Sequence, residues 1–186
     1  SMIQGAPKNV LDYGADPTGT IDSTAAITAA MAACSALGGG YVELPYGTYA
    51  ISELTVPTDV TLRGQTNGYS YTTPKTNSFL RCYTGVYAVM LEGRAGLQDL
   101  GIYSNASTSG PPYTSDGVEY GVVIYFGATT MRNVSVYGFQ YGVTIANGGN
   151  SNIFEDCACN FNSKAGFVVT KGSQACFDVY HPNLPY

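Results

Sequence analysis

The sequence predicts an all-β fold: a right-handed parallel β-helix, a solenoid of short strands capped by one N-terminal α-helix. Three observations predict it. A short-strand motif recurs along the second half of the chain with spacings that settle at 23 and 22 residues. Only one stretch carries helical periodicity. Charged residues make up 11% of the 186, while Gly (23) and Tyr (16) are abundant, as suits strands and turns that keep their polar groups in backbone ladders.

The helix comes first. Residues 22–37 read DSTAAITAAMAACSAL, with Ile27, Ala30, Met31, Cys34 and Leu37 on one face, Asp22 or Ser23 as cap and Gly38, Gly39 and Gly40 as the stop. The coils follow, over about residues 41–186. Asp59-Val-Thr-Leu62 aligns with Asp99-Leu-Gly-Ile102, Asn133-Val-Ser-Val136, Asp156-Cys-Ala-Cys159 and Asp178-Val-Tyr180. A second frame repeats Gly121-Val-Val-Ile124 as Gly142-Val-Thr-Ile145 and Gly166-Phe-Val-Val169, and Leu97, Met131, Phe154 and Cys176 lie two residues upstream of the first. Units of this length stack like residues about 4.8 Å apart in successive coils. A leucine-rich repeat shares the period, but neither a Leu framework nor a helix recurs per unit. The longer spacings place projecting loops at residues 65–78 and 104–118, and loops on a rigid scaffold are common seats of function.

Composition narrows the chemistry. A net charge of −5 with eight scattered Lys and Arg speaks against nucleic-acid binding. No apolar run approaches the ~20 residues of a membrane span, and no signal peptide opens the chain. A single His, His181, excludes multi-His metal sites; its inward register before Pro182 makes it a packing residue. The five Cys lack paired zinc spacing, and Cys157 and Cys159 fall where Val134 and Val136 sit, as small buried thiols. Asp12, Asp16 and Asp22 could be imagined around a cation, but capping and turn hydrogen bonds explain them more simply. No cofactor or metal is expected.

The column Asp59, Asp99, Asn133, Asp156 and Asp178 is the candidate for acid–base chemistry. Asp156 and Asp178 would stand one rung, about 5 Å, apart, within the range of paired glycosidase carboxylates. Asp99 and Asp156 would be separated by two rungs, about 10 Å, and Glu155 could contribute from the neighbouring face. The same column also reads as a polar turn ladder in which Asp and Asn satisfy backbone N–H groups, and that reading weighs more. Glu119, Gln140 and Lys164 form another column, read as a surface ladder before a lyase base, and Arg132 and Glu155 are expected to pair. Tyr103, Tyr113 and Tyr137, among the Tyr residues on loops or outward strand positions, are candidates for sugar contact; the same amphipathic character suits a subunit interface. Asn105-Ala-Ser and Asn133-Val-Ser match glycosylation sequons without other support.

Asn9-Val-Leu-Asp-Tyr-Gly-Ala-Asp16, Asp22-Ser-Thr-Ala-Ala-Ile27, Gly38-Gly-Gly-Tyr-Val-Glu-Leu-Pro45, Gly47-Thr-Tyr49 and Val60-Thr-Leu-Arg-Gly64 together resemble the N-terminal signature of the pectate-lyase-like β-helix superfamily. With the lead-in Gly5-Ala-Pro-Lys-Asn9, they look most like the start of a bacteriophage tailspike. The motif covers about residues 9–64, and only the coil rhythm carries the resemblance further. It implies a virion-tail protein that binds a bacterial surface polysaccharide, as a homotrimer acting outside the cell. If it cleaves, hydrolysis by paired carboxylates comes first and β-elimination by a Lys or Tyr base second, with the site possible beyond this segment. A secreted pectinase-like enzyme and a non-catalytic adhesion module of a tail are the alternatives. Residues 1–8 are a lead-in that begins with a cloning remnant, Ser1-Met2, and residues 9–186 are read as the N-terminal part of the β-helix, incomplete at its C-terminus.

Overall fold

The structure, a computed structural model, describes residues 6–66, 77–105, 118–146 and 150–170. Strand β1 (Lys8–Asn9) pairs with the first rung, a 3-10 turn follows at Val10–Tyr13, and α1 spans Thr24–Ser35. The first rung is β2 (Gly40–Glu43), β3 (Gly47–Ile51) and β4 (Leu54–Val56); the second is β5 (Val60–Arg63), β6 (Ser78–Cys82) and β7 (Tyr87–Leu91). The third is β8 (Gly96–Ser104) and β9 (Tyr120–Ile124); the fourth is β10 (Thr130–Tyr137) and β11 (Tyr141–Ile145). The fifth is β12 (Ile153–Glu155), β13 (Ala158–Asn160) and β14 (Ala165–Val169). Every rung pairs with the next in parallel register. Nine strands form one bent sheet and β4, β7, β9, β11 and β14 form the other, so the described chain is a stack of five rungs of a parallel β-helix.

Alternation of side chains along each strand fills the interior. Val42, Leu62, Leu97 and Met131 stack on one wall, Tyr49, Leu80, Ile102 and Val136 on the second, and Val56, Leu91, Ile124 and Ile145 on the third, all buried. Each buried Val, Leu or Ile is worth about 1.5–3 kcal/mol against exposure, and the ladder repeats that gain rung after rung. In the fifth rung Phe167 and Val169 hold the register of Val143 and Ile145 but are each 41% exposed, since no described strand covers them.

Helix α1 closes the other end. Ile27, Ala30, Met31 and Cys34 are its buried residues, four of the five of the expected face, packed on the first rungs, while Leu37 lies beyond the end of the helix and is half-buried. It is shorter than the expected 22–37, because the capping residues lie inside that range and the chain closes in tighter turns from Ala36 onward, Leu37 N–H donating to the Cys34 carbonyl and Gly38 N–H to the Ser35 carbonyl. Asp22 accepts the Thr24 N–H at 2.8 Å, while the Ser23 hydroxyl turns to the Asp16 N–H at 2.9 Å. At its C-terminal end the chain passes through Gly39 at φ +99°, where a Cβ would lie 2.3 Å from the Asp59 carbonyl oxygen. Asp16 gathers the N–H groups of Thr18, Thr20 and Ile21, so it is a turn organiser. These bonds, the Thr18 hydroxyl foremost, hold its carboxyl down at about 2.

The repeat register is as expected for the third, fourth and fifth rungs: Leu97, Met131 and Phe154 are laterally aligned, as are Val136 and Cys159. The second rung departs from it. Thr61 pairs with Gly96 and Arg63 with Gln98, so Gly64, not Asp59, takes the position beside Asp99. β5 ends at Arg63 and β6 begins at Ser78, so the extra residues of this unit fall between these strands in sequence, and a spacing of 40 residues does not say where in the unit they fall. Cys34, Cys82, Cys157 and Cys159 are free thiols, and burial pushes Cys82 and Cys159 up to about 12. Cys176 and His181 lie outside the described residues. No helix among the described residues is long and apolar enough to cross a membrane.

Candidate functional site

The expected carboxylate column is a corner. Asp99, Asn133 and Asp156 occupy successive rungs, and all three have left-handed backbones, φ 54°, 53° and 52°. Asp and Asn are the L-residues that enter this region most readily, which is why the column is built from them. Asn133 donates its side-chain amide to Asp99 at 2.6 Å, and Gln98 donates to the other Asp99 oxygen at 2.9 Å. Asp59, displaced from the column, is also left-handed and holds Arg94 through two bonds of 2.7 Å. Asp156 is exposed. Glu155 beside it pairs with Arg132 at 2.9 Å, both side chains more than half exposed. Asp178 lies outside the described residues.

The wall just before this corner carries two outward rows in strict register. One runs Tyr41, Thr61, Gly96, Thr130, Ile153; the other runs Glu43, Arg63, Gln98, Arg132, Glu155. Glu43 binds Arg63 at one end as Glu155 binds Arg132 at the other, and the Arg63 guanidinium also lies 4.2 Å from the centre of the Tyr41 ring. Between the pairs is a shallow polar depression of about 190 Å³, lined by Tyr41, Thr61, Leu97, Gln98, Thr130 and Arg132. Sequence reasoning reached only the Arg132–Glu155 part of it. The inward Leu97–Met131–Phe154 frame implied outward neighbours on both sides, but the misplaced second rung hid Thr61 and Arg63.

The tyrosines expected to meet sugar are packed against one another. Tyr103 and Tyr137 stack face to face at 5.5 Å with an interplanar angle of 5°, Phe79 meets Tyr103 edge-on at 5.6 Å, and Tyr137 is 7% exposed. Their mutual faces are committed, and Tyr137 offers almost no surface. Burial pushes the Tyr103 hydroxyl up. Tyr113 lies outside the described residues. On the second sheet Tyr87, Tyr120 and Tyr141 are aligned, the last two stacked at 5.3 Å, with the Lys164 ammonium 5.1 Å from the Tyr141 ring centre. Backbone bonds from Gln140 to Glu119 and from Lys164 to Gln140 run along the adjoining turn, the column read from sequence. Burial, then a bond to Glu119, raises the Tyr120 hydroxyl.

The model of the family described as rhamnogalacturonase A/epimerase, pectate lyase-like, matches residues 8–178. Mannuronan C5-epimerase AlgE3 of Azotobacter vinelandii is 48% identical over 61 residues, 33% of this chain and 3% of that protein. The SPbeta prophage-derived uncharacterized protein YomE of Bacillus subtilis is 34% identical over 79 residues, 37% of this chain and 12% of that protein. The chain therefore spans only a small part of these relatives. Among solved structures, the A-module of A. vinelandii mannuronan C-5 epimerase AlgE4 superposes with a TM-score of 0.64 at 20% identity, over 91% of this chain and 58% of that one. ORF18 of Geobacillus virus E2 superposes with a TM-score of 0.61 at 15% identity, over 91% and 40%. At these identities the structural likenesses speak for the fold. The family match covers nearly the whole chain, and the protein belongs to the rhamnogalacturonase A/epimerase, pectate lyase-like family.

Proposed function

We propose that this chain is the N-terminal part of a right-handed β-helix that binds a bacterial surface polysaccharide and cleaves it, in a phage tailspike acting at the host surface as a homotrimer. The observation that carries the reading is the family match over residues 8–178, a family described by enzymes of polysaccharide chemistry. Likeness to a prophage-derived protein and to a viral open reading frame supports the phage setting. Right-handed winding is the hand that parallel crossovers take.

For cleavage, the corner offers an exposed carboxylate at Asp156, and the 22-residue spacing assigns Asp178 to the next rung. A pair one rung apart suits glycoside hydrolysis, one carboxylic acid protonating the leaving oxygen while the other carboxylate attacks or activates water. Asp99 stands further along the same corner, and the Arg132-paired Glu155 flanks it. The test uses the full-length protein on a panel of capsular and O-antigen polysaccharides. New reducing ends without an unsaturated product are expected, and Asp156→Asn with Asp178→Asn should lower the rate about 10²–10⁴-fold. Unchanged cleavage by that variant would remove the corner from catalysis; an unsaturated product would indicate elimination. Binding without cleavage would make the protein an adhesin.

A secreted polysaccharide-modifying enzyme is the second reading, favoured by the 48% identity to a mannuronan C5-epimerase. A leader peptide and no tail genes around the intact gene would support it.

A further inference from the structure

We infer that the wall centred on Gly96 is a binding subsite for an uncharged pyranose unit of the glycan, an inference that rests on the polysaccharide reading above. In the outward row Tyr41, Thr61, Gly96, Thr130, Ile153, every rung but the middle one carries a side chain. The glycine thus lowers the ridge at its middle rung, leaving a shallow notch into which the Thr61 side chain leans. Thr61 walls it closely: its Oγ1 lies 2.7 Å from where a Gly96 Cβ would stand, and the Thr130 carbonyl oxygen lies at 3.3 Å. Gly96 does not have a left-handed backbone, so the position asks for glycine through space and not through φ.

The groups around the notch fit sugar hydroxyls. Thr61 and Thr130 face it from adjacent rungs, and neither hydroxyl has a protein hydrogen-bond partner among the described residues. Gln98 forms the next position of the lining, its amide already oriented by Asp99. Arg132 is held from one side by Glu155, which fixes a planar fork of donors beside the notch. Tyr41, 41% exposed with the Arg63 guanidinium against its ring, supplies an apolar surface at the end of the depression. The volume of about 190 Å³ suits a single ring, since sites for larger ligands run to ~300–1,000 Å³.

Charge selects against an acidic sugar. The second row and the corner beside it hold two guanidiniums, Arg63 and Arg132, against four carboxylates, Glu43, Glu155, Asp99 and Asp156, and the whole chain carries −5. Each guanidinium is already paired, so a carboxylate on the sugar would meet repulsion without an open cation, whereas a neutral diol can share the remaining N–H groups.

The test is calorimetric titration and saturation-transfer NMR of the full-length protein with neutral hexose oligosaccharides and, separately, oligogalacturonate and oligomannuronate. Neutral probes should bind with affinity that changes less than about twofold from low to high salt, as uncharged recognition requires. Thr61→Val with Thr130→Val keeps the β-branched shape and should keep the melting temperature, yet lower that affinity about tenfold or more. Gly96→Ser should also lower it, because the added Cβ has to displace the Thr61 hydroxyl from the wall of the notch. Wild-type affinity in the Thr double variant, with cleavage intact, overturns the subsite alone. Tight, salt-sensitive binding of the uronates that Arg132→Gln removes overturns the neutral class. Absence of any glycan binding or cleavage by the wild-type protein brings down the polysaccharide reading and the subsite with it.

Discussion

Corner and wall lie one residue apart along the same strands and use their polar groups in opposite ways. At the corner, Asp99 and Asn133 hold a left-handed backbone and spend their side chains on each other and on Gln98. On the wall, Thr61, Gly96 and Thr130 follow ordinary strand geometry, and the two threonine hydroxyls have no protein partner among the described residues. The lesson is that a stacked polar column is not by itself a reactive site: rung stacking favours any ladder that satisfies its own backbone. What distinguishes a recognition surface is a position where the ladder is interrupted.

The sharpest way to break this contrast is through the layer that both regions share. Leu100, fully buried just past the corner, should cost about 2–5 kcal/mol as Leu100→Ala in chemical denaturation. The corner itself is next. A Cβ on Gly64 would meet the Asp99 carbonyl oxygen at 2.2 Å, so Gly64→Ala should cost about 1–3 kcal/mol. Asn133→Ala should then cost about 1–2 kcal/mol more than Asn133→Gly, because glycine loses the Asp99 bond but tolerates φ 53°. Equal losses in the two variants would mean that the left-handed backbone does not select Asn there. The wall should be nearly silent: Thr130→Val should move stability by less than about 0.5 kcal/mol.

A pH experiment separates turn carboxylates from the wall altogether. Asp16 has a folded-state value of about 2, below its ordinary one, so its contribution is complete above about pH 4 and is lost as pH falls through about 2. Asp16→Asn should therefore flatten the stability profile between about pH 4 and pH 2, read as melting temperature against pH. A profile as steep as the parent's would assign acid sensitivity to other carboxylates.

The sequence carried much of this architecture, unevenly. The face of α1 and the lateral alignment of Leu97, Met131 and Phe154 could be read because regular spacing fixes both. The second rung could not, since its extra residues separate β5 from β6 and the alternation of β5 fits more than one register. For the site, the Arg132–Glu155 pair followed from two rungs of correct spacing. The notch at Gly96 was hidden because a glycine becomes a gap only when the residues above and below it are known to be Thr61 and Thr130. The stacking of Tyr103 on Tyr137 likewise depends on side-chain orientation that strand parity leaves open.

The most direct measurement is a crystal structure of the full-length protein soaked with a neutral oligosaccharide that it binds. The expected result is a sugar ring seated over Gly96, between Thr61 and Thr130, with the chain running toward the Asp156 corner. Density that instead tracks the Tyr87–Tyr120–Tyr141 face of the second sheet, leaving the notch to water, would contradict the account.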